Sequence, residues 1–109
     1  MKKFTTDELC AFLKDWGRIF KQMAADKSDP SAEGYYHACV DAYEMLMGKP
    51  MRFYNRGGLV RTLNGIGNGF DSKVKQKQLD DTYKQRAELF RHIAALIYSQ
   101  NPPVQTHLF

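Results

Sequence analysis

Leu9, Phe12, Leu13, Trp16, Ile19, Phe20 and Met23 recur at steps of three and four residues, the spacing that gathers side chains on one face of an α-helix. Thr5, with Glu8 three positions on, has the form of a capping box and sets the start of this helix. The opposite face carries Lys14, Asp15, Arg18, Lys21 and Gln22. The run stops ahead of residues 27–30, because Pro30 bars the residue before it from helical dihedrals. A second periodic stretch passes through Tyr36, Cys39, Val40, Tyr43, Leu46 and Met47. Ser31 or Asp29 can cap it, and Gly48 closes it as a left-handed C-terminal residue with Pro50 just beyond.

From Met51 onward the pattern weakens. Five of the eight glycines fall at Gly57, Gly58, Gly65, Gly67 and Gly69, and each costs about 1 kcal/mol relative to alanine inside a helix. Leu59, Val60, Leu63 and Ile66 keep helical spacing, so the pattern predicts a short third helix over residues 52–63 and a mobile glycine-rich segment at 64–69. Asp71 or Ser72 then caps a long fourth helix through Val74, Leu79, Tyr83, Ala87, Phe90, Ile93, Ala94 and Ile97, supported by Asp80 with Lys84 and Lys84 with Glu88. It ends near Gln100, where Asn101, Pro102 and Pro103 launch an extended tail. No period-two alternation of useful length and no internal repeat is apparent. The expected fold is all-α: a small antiparallel bundle of about four helices in a single domain over residues 1–100, with an extended C-terminal tail over 101–109.

Composition narrows the class. At 109 residues the chain suits one domain, and 43% hydrophobic with 13% aromatic residues is globular rather than disordered or fibrous. The longest apolar run, residues 93–98, is six residues, far short of the roughly 20 that span a bilayer, so no membrane partner is expected. Lys2 and Lys3 are followed by Thr5, Thr6, Asp7 and Glu8 with no apolar stretch, so no export leader is expected. Cys10 and Cys39 both fall on apolar helix faces and read as buried thiols rather than a disulfide, which suits the reducing cytoplasm.

Charge changes the picture more. The net charge is +4, but it is unevenly placed. Residues 49–78 hold seven bases, Lys49, Arg52, Arg56, Arg61, Lys73, Lys75 and Lys77, against the single acid Asp71, a local +6; the rest of the chain sums to −2. Such segregation is the footprint of an anionic partner, nucleic acid or an acidic protein surface. Arg52, Phe53, Tyr54, Asn55 and Arg56 place aromatics between arginines, a mixture that stacks on bases and holds phosphates, and Gly57 and Gly58 allow backbone amides to approach closely. The same residues also fit a plainer reading, with Phe53 and Tyr54 in the core, glycines in tight turns and the lysines on a solvated face.

Catalytic chemistry finds little support. His37, Cys39 and Asp41 step by two along a helix and point apart, so they do not converge on a metal. His37 with Asp41 reads as a surface pair, and Asp7, Glu8, Asp80 and Asp81 read as helix-start and surface acids. Glycines 65, 67 and 69 lack the strand–loop–helix setting and the terminal lysine of a phosphate-binding loop. The chain is expected to be no enzyme, with no cofactor and no metal.

The last five residues, Gln105, Thr106, His107, Leu108 and Phe109, resemble the bacterial sliding-clamp-binding motif: a glutamine, two looser positions, then leucine and phenylalanine at a chain end. The resemblance implies that Leu108 and Phe109 enter a hydrophobic pocket of the clamp while the Gln105 amide meets a polar group there. Thr106 stands where the motif prefers another leucine, so one anchor is missing. The sequence points to a non-enzymatic accessory protein that binds an anionic partner, DNA in a replication or repair setting, and docks on the sliding clamp. The competing reading is a protein-interaction module from a mobile element, phage included, acting as inhibitor or adaptor of a nucleic-acid-handling complex.

Overall fold

In the computed structural model, which describes residues 4–100, the Thr5 hydroxyl accepts the Glu8 amide at 3.1 Å and the Glu8 carboxylate accepts the Thr5 amide at 2.8 Å. This capping box opens α1 (Thr6–Ala25). Three more helices follow, α2 (Ala32–Leu46), α3 (Arg56–Lys75) and α4 (Thr82–Ser99), and the described residues form no strand. The all-α bundle is as expected, and Gly48 at φ +80° closes α2, its amide and that of Lys49 returning to the Met45 and Glu44 carbonyls at 3.0 and 2.8 Å. None of these helices is long and apolar enough to cross a membrane.

The middle of the chain differs from its sequence pattern. The third helix begins at Arg56, where the Asn55 side chain accepts the Gly58 amide at 2.7 Å. It does not stop at the glycines but runs on to Lys75. The fourth therefore starts at Thr82, not at Asp71 or Ser72. Extending α3 through residues 64–75 buries Ile66 and Val74 and half-buries Phe70, worth about 1.5–3 kcal/mol per fully buried side chain. Gly65, Gly67 and Gly69 cost only about 1 kcal/mol each, so burial wins. Gly67 is also required: a Cβ there would lie 2.9 Å from the Ala87 carbonyl oxygen on α4.

A recurrence emerges at an offset of 50 positions. Thr5 and Asn55 are side-chain N-caps of two 20-residue helices. Leu9 and Leu59, Leu13 and Leu63, and Gly17 and Gly67 are buried at matching places, and Phe20 and Phe70 face the same aromatic layer. Lys27 and Lys77 each take left-handed backbone, at φ 56° and 60°, and the next amide returns to the Met23 or Lys73 carbonyl at 3.0 or 2.8 Å. Asp29 and, one position out of that register, Asp80 then accept the amide two residues on, at 2.8 and 3.0 Å. The chain is two helical hairpins built on one plan, α1–α2 and α3–α4.

Within each hairpin the helices approach closely over small residues. A Cβ at Gly17 would lie 3.4 Å from that of Cys39, and Ala38 and Ala42 are fully buried. Between hairpins the filling is aromatic: Phe12 and Phe20 from α1 meet Phe90 of α4 at 4.9 and 6.4 Å between ring centroids. Trp16, expected in the core, is half-buried among Phe20, Phe70, Tyr83 and Phe90 at 5.1–6.1 Å.

Candidate functional site

The two hairpins are joined by residues 47–55, and one buried carboxylate fixes that linker. Asp41 on α2 is completely buried and accepts three consecutive backbone amides, from Arg52 at 2.8 Å, Phe53 at 3.0 Å and Tyr54 at 2.7 Å. Three charge-assisted bonds satisfy the carboxylate and leave the linker one conformation. Asp41 is thus no surface partner of His37, contrary to the pairing read from the sequence. The imidazole of His37 instead stacks on the Phe53 ring, centroids 3.9 Å apart and planes 6° apart.

This arrangement sorts the candidate residues. Tyr54 is half-buried, and its hydroxyl donates to the Gly34 carbonyl at 2.8 Å, so it holds the linker rather than offering a free ring. Arg56 is half-buried, and its guanidinium donates to the Gln100 carbonyl, tying the start of α3 to the end of α4. Arg52 is exposed, reaches Glu44 at 3.1 Å and sits 5.6 Å from the centroid of Phe53. Lys49 lies exposed in the same linker.

The other bases follow α3, which is about 30 Å long at 1.5 Å per residue. Arg61 is exposed midway, Lys73 and Lys75 occupy its last turn, and Lys77 lies in the turn after it. The two lysines therefore stand at a helix C-terminus, where the macrodipole favours them, and not at a helix start where it would oppose them. Lys49 and Arg52 are separated from Lys73, Lys75 and Lys77 by the length of α3, so the bases do not form one cluster, and Lys73, two residues from Lys75, points to the other side of the helix. Gly57, Arg61, Asn64, Asn68 and Lys75 follow at steps of four, three, four and seven, and so share one face. Asp71, at the edge of that face, is engaged by Arg91 of α4 at 2.8 Å, and the same guanidinium group reaches the Asn68 side-chain oxygen at 3.4 Å.

Two surface grooves adjoin these bases. One, between α3 and α4, sets Lys75, Lys84 and Arg91 among Asp71, Asp81 and Glu88, a balanced lining with no preference for an anion. The other, between α1 and α2, carries Lys14, Arg18, Tyr36, Tyr43 and Glu44 beside Arg52. Lys14 and Arg18 escape a charge count along the chain because acids lie near them in sequence; only the helix spacing brings them beside Arg52. Cys39 forms part of that groove's floor, and burial pushes its thiol up to about 12, so it stays protonated and unreactive at neutral pH. Among the described residues no group of three or more His, Cys, Asp or Glu side chains could hold a metal ion. Gln105, Leu108 and Phe109 lie outside the described residues. The chain matches no family model, no curated protein and no solved structure.

Proposed function

We propose that this is a non-enzymatic accessory protein that binds DNA in a replication or repair setting along the exposed side of α3 and the linker before it, with the C-terminal tail docking on a bacterial sliding clamp. One observation carries the DNA reading: six of the seven bases between Lys49 and Lys77 are exposed, spread over the roughly 30 Å of α3 with Arg61 and Lys75 on one face, and the only acid of that segment is already engaged by Arg91. Bases strung at intervals suit an extended polyanion better than a compact ligand, because each meets a successive phosphate. The polar, small side chains between them let a phosphate backbone approach the helix. The tail reading rests on Gln105, Leu108 and Phe109 alone.

Binding of labelled oligonucleotides, measured over a series of salt concentrations, tests the reading. About five phosphate contacts predict a log–log slope near −4, and replacing Arg61, Lys73 and Lys75 together by glutamine reduces that slope and the affinity while the fold is kept. Salt-independent binding, or none at low salt, refutes it. For the tail, a peptide covering residues 101–109 binds a bacterial clamp in the micromolar range, about −8 kcal/mol, and loses binding when Gln105, Leu108 and Phe109 become alanine.

A further inference from the structure

Phe53 is 49% exposed, yet the linker that bears it is held by three backbone amide bonds to the buried Asp41 carboxylate. A flexible linker with a free phenylalanine would fold the ring inward and gain its burial energy. Here Asp41 takes the amides of Arg52, Phe53 and Tyr54, and Tyr54 is bonded to Gly34, so the backbone is set and Phe53 remains outside. Its ring is further ordered by the parallel stack on His37 at 3.9 Å. The Arg52 guanidinium, paired with Glu44, lies over the ring 5.6 Å from its centroid, so a base that stacks there takes its place and leaves it to a phosphate, and the exposed Lys49 is in the same linker. An ordered aromatic ring with cations around it, just before the exposed bases of α3, has the two elements that hold an unpaired nucleotide: a platform for the base and charges for its phosphates.

We infer that Phe53, stacked on His37, is a stacking platform for an unpaired base, and that the protein therefore prefers single-stranded to duplex DNA. The inference rests on the DNA-binding reading above and narrows it. In a duplex the base faces are already stacked on one another and out of reach, so the ring adds nothing there; in a single strand every base offers a face, whatever its identity. The preference is consequently for strandedness and not for sequence.

Fluorescence anisotropy with a labelled oligothymidylate of about ten nucleotides, and with a duplex of the same length, tests the inference. The expected result is tighter binding of the single strand. Phe53→Ala weakens it by about five-fold or more and leaves duplex binding within about two-fold. Phe53→Leu, which keeps apolar bulk but removes the π face, behaves like Phe53→Ala, whereas Phe53→Trp retains the preference. Half of the ring is covered, so Phe53→Ala lowers the denaturation midpoint modestly, and the affinities are compared at a temperature where every variant is folded. Equal affinity for both forms, or no effect of Phe53→Ala on the single strand, overturns the inference and leaves the DNA reading standing. Failure to bind either form at low salt overturns both and turns attention to an acidic protein surface as the partner of the same residues.

Discussion

Glycines 65, 67 and 69 sit two residues apart on one helix, and alanine at each should have opposite consequences. At Gly65 and Gly69 a Cβ meets nothing within 4 Å, and neither has positive φ. Replacing either by alanine removes only the entropic cost of glycine in a helix, a gain of about 0.5–1 kcal/mol. At Gly67 the new Cβ falls 2.9 Å from the Ala87 carbonyl oxygen and 3.1 Å from the Arg91 Cγ. Ordinary contact begins near 3.4 Å, so α3 and α4 would have to part by about 0.5 Å. Arg91 is not free to yield, because it holds Asp71 at 2.8 Å. Overpacking of this kind costs about 1–3 kcal/mol, and the helix gain returns about 1, leaving Gly67→Ala destabilised by up to about 2 kcal/mol. Guanidinium denaturation followed by the emission of Trp16, the only tryptophan, reads these changes. In a domain of this size 1 kcal/mol also moves Tm by about 4–8 °C, so the alanine variants at 65 and 67 should melt well apart and on opposite sides of the parent. Destabilisation of similar size at all three positions would refute the reasoning and restore the glycine-rich segment as a loop.

Asp41→Asn replaces an oxygen that accepts linker amides by an NH2 group that faces them; the loss should be about 2–4 kcal/mol, with faster hydrogen exchange at the amides of Arg52, Phe53 and Tyr54 as its local mark. Trp16→Ala empties the aromatic layer where Phe20, Phe70, Tyr83 and Phe90 meet and should cost about 3–5 kcal/mol in chemical denaturation, a large part of the stability of a small domain. Cys39 ionises near its ordinary 9.0 when unfolded but only at about 12 when folded, so the unfolded chain holds fewer protons in between. Stability should therefore fall as pH rises from 9 toward 12, by up to about 1.4 kcal/mol per pH unit from this group. At neutral pH an alkylating reagent should reach Cys39 at the rate of unfolding.

What was legible in the sequence was local. The Thr5–Glu8 box, the apolar stripe of α1 and the Gly48 cap depend on residues three or four apart, and each appears where its spacing places it. The boundary between α3 and α4 was misplaced because its determinants are distant: Gly67 is helical on account of Ala87 and Arg91, 20 and more residues on. Propensity alone favoured a loop there. Asp41 escaped for the same reason, its partners lying 11 to 13 residues away. Of the candidate site, the charge excess was plain, but only the folded chain separates Tyr54 and Arg56, engaged with Gly34 and Gln100, from the exposed Arg52 and Arg61. The recurrence at 50 residues was hidden because caps, core leucines and the left-handed lysines are shared while the surface between them is not.

Two hairpins of one plan joined by a single linker are, by construction, interchangeable parts: a second copy of the chain can offer its α3–α4 hairpin to the first and rebuild the same aromatic layer between molecules. The hold of Asp41 on the linker works against that exchange. With residues 52–54 fastened to α2, only residues 47–51 are left to span, too short a reach for the second hairpin to swing to a neighbour while the latch is closed. Releasing the carboxylate frees the full linker and removes the geometric preference for pairing in cis. Concentrated Asp41→Asn protein is therefore where hairpin-exchanged dimers should first be found, by size-exclusion chromatography.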